Sequence, residues 1–192
     1  KNGETKHTLV SLNPSTGDEL GRVTLMDRHE VDAAIARAQG AFSTWSRLPL
    51  RERGRHLLRA RDYMMEHADE IAALISAEMG KPRAEAMNAE IFLVADLIGH
   101  FVRRAPKILE DTKIPMHLFK VIKESKLVHE PLGVVTVISP WNYPFAIPMS
   151  GIVFALLTGN TVLFKPSSEV PLIGKKIEEV LGPAGGAQLA AI

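Results

Sequence analysis

The chain has no cysteine among its 192 residues. That excludes disulfides, and it excludes a thiol nucleophile supplied by these residues. No Gly-x-Gly-x-x-Gly occurs, so the ordinary dinucleotide fingerprint is missing. The seven histidines show no metal-binding spacing such as His-x-x-x-His, and no metal site is expected. The formal net charge is +1, so electrostatics imply neither nucleic acid nor an anionic membrane as a partner. Lys1 to His7 is polar, with no signal-peptide pattern. There is no internal repeat and no low-complexity tract. The length suits one domain, or one and a half.

Charge is missing from one long stretch. No Asp, Glu, Lys, Arg or His occurs from Pro131 to Phe164, whereas the rest is densely charged. Such a run belongs in a buried core or a membrane. Pro140, Pro144 and Pro148, with Asn142 among them, would break a spanning helix. No uninterrupted segment reaches the roughly 20 apolar residues a span requires. The run reads instead as strand, helix and strand: Val134–Ser139, then Phe145–Leu157 after a Pro-rich turn, then Thr161–Lys165 after Gly159-Asn160. Strands apolar on both faces and joined through a helix predict a parallel sheet covered on both sides. A further helix is expected over Val170–Leu181.

Upstream, Thr8–Leu12 and Glu19–Leu25 flank an Asn13–Gly17 turn and predict a hairpin. Asp27 with Glu30 three residues on is a capping box. Val31, Ala34, Ile35, Ala38, Phe42 and Trp45 then share one helical face. A basic helix is expected near Leu50–His67, burying Leu57, Leu58 and Met64. Another near Asp69–Met79 is stopped by Gly80 and Pro82. A long one should run from Arg83 to Arg104 and end before Pro106, with Met87, Ile91, Val94 and Ile98 as its stripe. Glu78, Glu85 and Glu90 read as solvated faces of these helices. His67, His100, His117 and His129 read as surface or element-end residues. Leu118–Ile122 and Ser125–His129, around Lys123-Glu124, predict an exposed hairpin arm, which needs something to pack on.

Asn142 falls just past a parallel strand, where open α/β sheets bind ligands. Its ordinary alternative is an Asn that satisfies a turn between prolines. Lys165 ends the second strand on the same sheet edge; a solvated strand-end Lys is the common fate. Trp141 is as readily core as ligand wall. Glu169, near a helix start, suits the helix dipole.

Ile138-Ser139-Pro140-Trp141-Asn142-Tyr143-Pro144, followed by Phe164-Lys165-Pro166-Ser167, resembles the first half of the cofactor domain of the aldehyde dehydrogenase superfamily. Asn13-Pro14-Ser15-Thr16-Gly17-Asp18 with Gly21-Arg22-Val23 resembles that family's N-terminal hairpin, and Glu78-Met79-Gly80-Lys81-Pro82 its helix-ending Glu-x-Gly-Lys-Pro. The resemblance covers Leu9 to Leu181. It implies an incomplete doubly wound parallel α/β sheet with N-terminal helices and a protruding hairpin. Residues 1–104 would form the N-terminal hairpin and helical part, 105–130 an oligomerisation arm, and 131–192 the first βαβα unit of a dinucleotide-binding domain.

The resemblance further implies NADP or NAD as cofactor, an aldehyde substrate, and a cytoplasmic homo-oligomer as the full-length protein. Asn142 would be an oxyanion donor. Ile138, Ser139, Pro140 and Trp141 would wall the dinucleotide. Lys165, Ser167 and Ser168 would meet its adenosine ribose and any 2′-phosphate. The leading expectation is NAD(P)-dependent oxidation of an aldehyde to a carboxylic acid, this chain being the N-terminal portion. The alternative is a non-catalytic remnant that binds nucleotide weakly or associates with intact subunits. Two features depart from the family pattern. Neither the Cys nucleophile nor a Glu-Leu-Gly-Gly base motif occurs, and the tail from Gly182 lacks the expected Gly-Leu-Pro turn and next strand. A truncated or incompletely represented enzyme is therefore expected.

Overall fold

The computed structural model describes residues 7–115, 123–182 and 189–191. Strands β1 (Thr8–Leu12) and β2 (Glu19–Thr24) form an antiparallel hairpin. Its turn closes through the Gly17 N–H, which donates to the Asn13 carbonyl at 2.8 Å. Gly17 has φ of 78°, a conformation a side chain would strain. Helix α1 (Arg28–Trp45) starts at the expected capping box: the Asp27 carboxylate accepts from the Glu30 N–H, and the Glu30 carboxylate accepts from the Asp27 N–H.

Helices α2 (Leu50–Glu66) and α3 (Ala68–Met79) follow, and α3 ends on Gly80 in the left-handed region, with φ of 78°. The expected single long helix is instead α4 (Arg83–Ala86), a π-helical turn (Met87–Phe92) and α5 (Leu93–Ile108). It also runs through Pro106 rather than stopping before it. Pro106 lies in the last turn, so its missing N–H forfeits one bond near an end where the ladder stops anyway.

Strands β3 (Thr112–Ile114) and β4 (Ser125–Leu127) pair antiparallel. The arm therefore exists, but its described first strand is Thr112–Ile114. The expected Leu118–Ile122 strand lies outside the described residues.

The parallel sheet has the order β5–β6–β7, formed by Val134–Ile138, Thr161–Lys165 and Leu189–Ala191. Helices α6 (Ala146–Leu157) and α7 (Pro171–Leu181) make the two crossovers. The expected departure of the tail is corrected in part: Leu189–Ala191 adds a third parallel strand beside β6, and residues 183–188 lie outside the description.

Strand β6 is buried along Thr161–Phe164. Val162 and Phe164 join the main core with α6 and α7, while Leu163 packs with Ala34 of α1. The Thr161 hydroxyl, on the Leu163 side, donates to the Ala38 carbonyl of α1 at 2.9 Å. Alternation along this one strand thus puts α1 on one face and α6 on the other. The expectation that both strands are covered on both faces fails for β5. It is the sheet's outer strand among the described residues, and Thr136 and Ile138 are exposed.

Helix α6 is uncharged and largely buried; Thr158, Gly159 and Asn160 take up some of its last carbonyls, and other terminal groups find remote partners. At its start, the Glu90 carboxylate accepts from the N–H groups of Phe145 at 2.8 Å and Ala146 at 3.2 Å. At its end, the indole N–H of Trp45 donates to the Leu156 carbonyl and Arg53 Nε to the Leu157 carbonyl, both at 2.9 Å.

Candidate functional site

Strands β5 and β6 are parallel and in register, with Ile138 opposite Lys165. Their C-terminal ends therefore finish side by side, and each chain turns there into the helix that crosses over. The residues singled out in the sequence lie at this edge, and two clefts open along it.

The first cleft, about 500 Å³, is lined by Lys165, Ser167, Ser168 and Lys175, with an apolar wall that includes Val23, Leu25 and Pro171. Gly174 of α7 belongs to the same wall. A Cβ there would come within 2.5 Å of Pro166 Cγ, so only glycine lets the helix sit this close to the turn after β6. The second cleft is lined by Trp141, Ser167, Ser168, Glu169 and Glu78, with Val10 and Leu12 of the hairpin.

The structure brings Lys165, Ser167, Ser168 and Trp141 together around these two clefts. Ile138, Ser139, Pro140 and Asn142 line neither. Ile138 is 71% exposed and Ser139 is buried, while Pro140 and Asn142 are exposed. Asn142 is held by its backbone, its carbonyl accepting from Lys81 Nζ at 3.1 Å. The Lys165 ammonium bends back to the Pro166 carbonyl at 3.2 Å. The Ser167 hydroxyl accepts from the Glu169 N–H at 3.3 Å.

Two carboxylates expected on solvated helix faces are not there. Glu78 is 3% exposed and Glu90 0%; only Glu85 is exposed as expected. Glu78 accepts from the N–H groups of Leu172 at 2.8 Å and Ile173 at 2.9 Å, the open start of α7, and from the Ser11 hydroxyl. Negative charge at a helix N-terminus is stabilised by the unpaired N–H groups and the dipole. Burial nonetheless pushes the Glu78 carboxyl up from its ordinary value, against the three hydrogen bonds, which pull it down.

Glu90 pairs with Lys81 Nζ at 2.5 Å. The Lys81 ammonium also lies 4.0 Å from the centre of the Tyr143 ring. Helical periodicity hid these roles. The one hint was a Glu and a Lys on either side of the helix-stopping Gly80.

The aldehyde dehydrogenase family model matches residues 1–188. The chain belongs to the aldehyde dehydrogenase family. Over 177 residues it is 35% identical to a succinate-semialdehyde dehydrogenase [NADP(+)] of Deinococcus radiodurans, covering 92% of this chain and 36% of that protein. It superposes with a TM-score of 0.89 on an NADP dependent enzyme of E. coli, at 34% identity, covering 97% of this chain and 38% of the other. An aldehyde dehydrogenase from Brucella melitensis matches with a TM-score of 0.90 at 28% identity, covering 97% of this chain and 38% of its own. The chain thus spans just over a third of the length of these relatives.

Membership in the family does not make these residues an aldehyde-oxidising enzyme, and that leading expectation is corrected. With no cysteine in the chain, these residues supply no thiol to form a thiohemiacetal. What the fold does carry is the mixed α/β framework of the family, with an unclosed parallel sheet. Among the described residues, no helix is long and apolar enough to cross a membrane.

Proposed function

We propose that this chain is a non-catalytic member of the family that binds NADP or NAD weakly at the joint C-terminal edge of β5 and β6. The observation that carries this reading is the first cleft. Lys165 and the hydroxyls of Ser167 and Ser168 stand on its rim, against apolar wall residues. That donor set suits an adenosine ribose with or without a 2′-phosphate: hydroxyls and an ammonium meet the polar edge, and the apolar wall can take the base. Gly174 favours the same reading, because it lets α7 form the cleft wall close against the turn after β6. Trp141 and Ser168, both on the second cleft, would continue the contact towards β5. The bound dinucleotide would be held and oriented, with no thiol to react beside it.

Isothermal titration of the purified chain with NADP+, NAD+ and 2′,5′-ADP tests this. Saturable binding of NADP+ and 2′,5′-ADP that is lost in Lys165→Ala supports it. No heat with any of the three, from folded protein, sinks it.

A second reading, association with intact family subunits, has its own support. Leu132 is 91% exposed and Ile138 71%, and among the described residues β5 presents an outer strand edge. Unpaired edges and apolar surface favour pairing with another chain. Co-purification with a full-length relative, abolished by Ile138→Lys, is the expected outcome.

A further inference from the structure

The end of α3 and the two residues after it reach both strand-to-helix turns of the candidate site, and they do so with opposite charges. Glu78 lies before the left-handed Gly80 and Lys81 just after it. The two side chains reach different turns. Glu78 holds the start of α7, through the N–H groups of Leu172 and Ile173. That is the helix entered from the Lys165–Ser168 turn. Lys81 holds the other turn, through the Asn142 carbonyl and the Tyr143 ring. Its partner Glu90 secures the same segment further on, at Phe145 and Ala146. Glu90 sits in the π-helical turn, a local widening frequent at functional sites.

Glu78 and Met79 also line the second cleft, facing Trp141, Ser167 and Ser168. All three charged groups are buried, at 3%, 5% and 0% exposure. Buried charges need fixed partners, and fixed partners make short, stiff links.

We infer that Glu78 and Lys81 are positioning residues, the two arms of one brace that sets the turn after β5 against the turn after β6. The ligand that these turns would hold rests on the nucleotide-binding reading above; the brace itself does not. In the simpler arrangement each carboxylate caps its own helix, and the two ends of the motif are independent. The two arrangements differ in one respect. A brace transmits a change made at one arm to the turn held by the other, and the coupling is reciprocal.

The experiment is amide hydrogen exchange by two-dimensional 15N NMR on the full chain. In Glu78→Gln, the amides to watch are Phe145 and Ala146, which Glu78 does not touch. In the paired variant Lys81→Met with Glu90→Gln, they are Leu172 and Ile173. Exchange at these remote amides is expected to quicken by roughly tenfold or more, with the sheet amides of β6 unchanged. Remote amides that stay at wild-type rates while the local ones accelerate would overturn the brace.

Should either variant fail to fold, Glu78→Asp and Lys81→Arg keep the charges and alter only the arm lengths. The remote resonances should then shift, and unshifted remote resonances count against the inference. An NADP+ titration of the same samples separates the two readings. Loss of affinity by roughly tenfold in Glu78→Gln supports both. Remote coupling without any NADP+ response in the wild type keeps the brace and removes the nucleotide reading.

Discussion

The N–H of Ser139 donates to the carbonyl of Lys165 at 3.2 Å, one step past the last register pair of β5 and β6. The two chains therefore leave the sheet tied together. The Lys165 turn and the Pro140–Asn142 segment thus begin next to each other.

The purified chain should show no dehydrogenase activity. A thiolate is needed to form the adduct from which hydride departs, and no residue here supplies one. A panel of aliphatic, aromatic and semialdehyde substrates with either cofactor should give no growth in absorbance from reduced nicotinamide. Steady production by cysteine-free chain, free of contaminating enzyme, would be the contrary result.

Cofactor choice should turn on Ser168. In many NAD-preferring relatives by the resemblance, a Glu stands three residues after the strand-end Lys; here Ser168 stands there and Glu169 follows. Ser168 shares the first cleft with Lys165, whereas Glu169 lines only the second. A carboxylate about 4 Å from a 2′-phosphate near a surface costs about 4 kcal/mol per pair of unit charges before screening. The wild type should thus bind NADP+ at least as well as NAD+, and Ser168→Glu should shift the ratio of Kd values towards NAD+. A wild type that prefers NAD+ a hundredfold, about 2.7 kcal/mol, would refute this.

Gly174→Ala should both destabilise the fold and close the first cleft. The new Cβ would lie 2.5 and 2.6 Å from two carbons of Pro166, and a rigid ring cannot swing away. Overpacking of this kind costs about 1–3 kcal/mol. Urea unfolding should show that loss, and 2′,5′-ADP binding should weaken with it. A variant of unchanged stability would mean that α7 shifts freely.

Arg53→Leu should cost more. Arg53 is buried and donates to the Leu157 carbonyl, the end of α6, and to the Leu48 carbonyl between α1 and α2. Both acceptors would be left without that donor, at about 1–3 kcal/mol each. A loss of about 2–6 kcal/mol in chemical denaturation is expected; a change within experimental scatter would show that water replaces the guanidinium.

Glu78 should give stability an identifiable pH dependence. Burial raises its folded-state pKa above the ordinary 4.5, so the native state holds this proton more tightly than the unfolded chain does. The group's contribution is then fullest below that ordinary value and is lost as pH rises through the raised one. The stability difference between wild type and Glu78→Gln should therefore move in favour of the wild type as pH falls from 8 towards 5. Movement in the opposite direction would mean that the hydrogen bonds from Ser11, Leu172 and Ile173 outweigh burial.

Much of this was legible in the residues. The Asp27–Glu30 capping box, the Gly80 stop and the Thr161–Lys165 strand are local signals, set by a few adjacent side chains, and the structure follows them. The π-helical turn was not, because a stripe such as Met87, Ile91, Val94 and Ile98 is equally consistent with an unbroken helix. Glu78 and Glu90 were misread for a related reason. Periodicity sorts carboxylates to the solvent side, and it carries no information about a helix N-terminus that will arrive from 94 or 55 residues away. Trp141, Lys165, Ser167 and Ser168 could be placed on one sheet edge from the strand–helix–strand pattern. Which of the neighbouring residues face a cleft depended on how the turns fold back, and there Ile138, Pro140 and Asn142 parted from them.

Helix α6 begins on a carboxylate 55 residues upstream and ends on an indole and a guanidinium 111 and 104 residues upstream. The segment finishes part of its C-terminal end itself, since Thr158, Gly159 and Asn160 donate to the Phe154, Leu156 and Ala155 carbonyls, but its first amides and the Leu157 carbonyl wait for Glu90 and Arg53. Until α2 and the π-helical turn stand in place, making α6 would bury the bare amides of Phe145 and Ala146 and the bare Leu157 carbonyl, so the central layer depends on the outer ones. Synthesis from the N-terminus delivers the parts in the workable order. A chain diluted from denaturant has no such schedule; it must close loops of about a hundred residues before its most apolar segment can settle. Its slow step should be the docking of α6, and the sticky intermediates along the way should carry that uncharged segment uncovered.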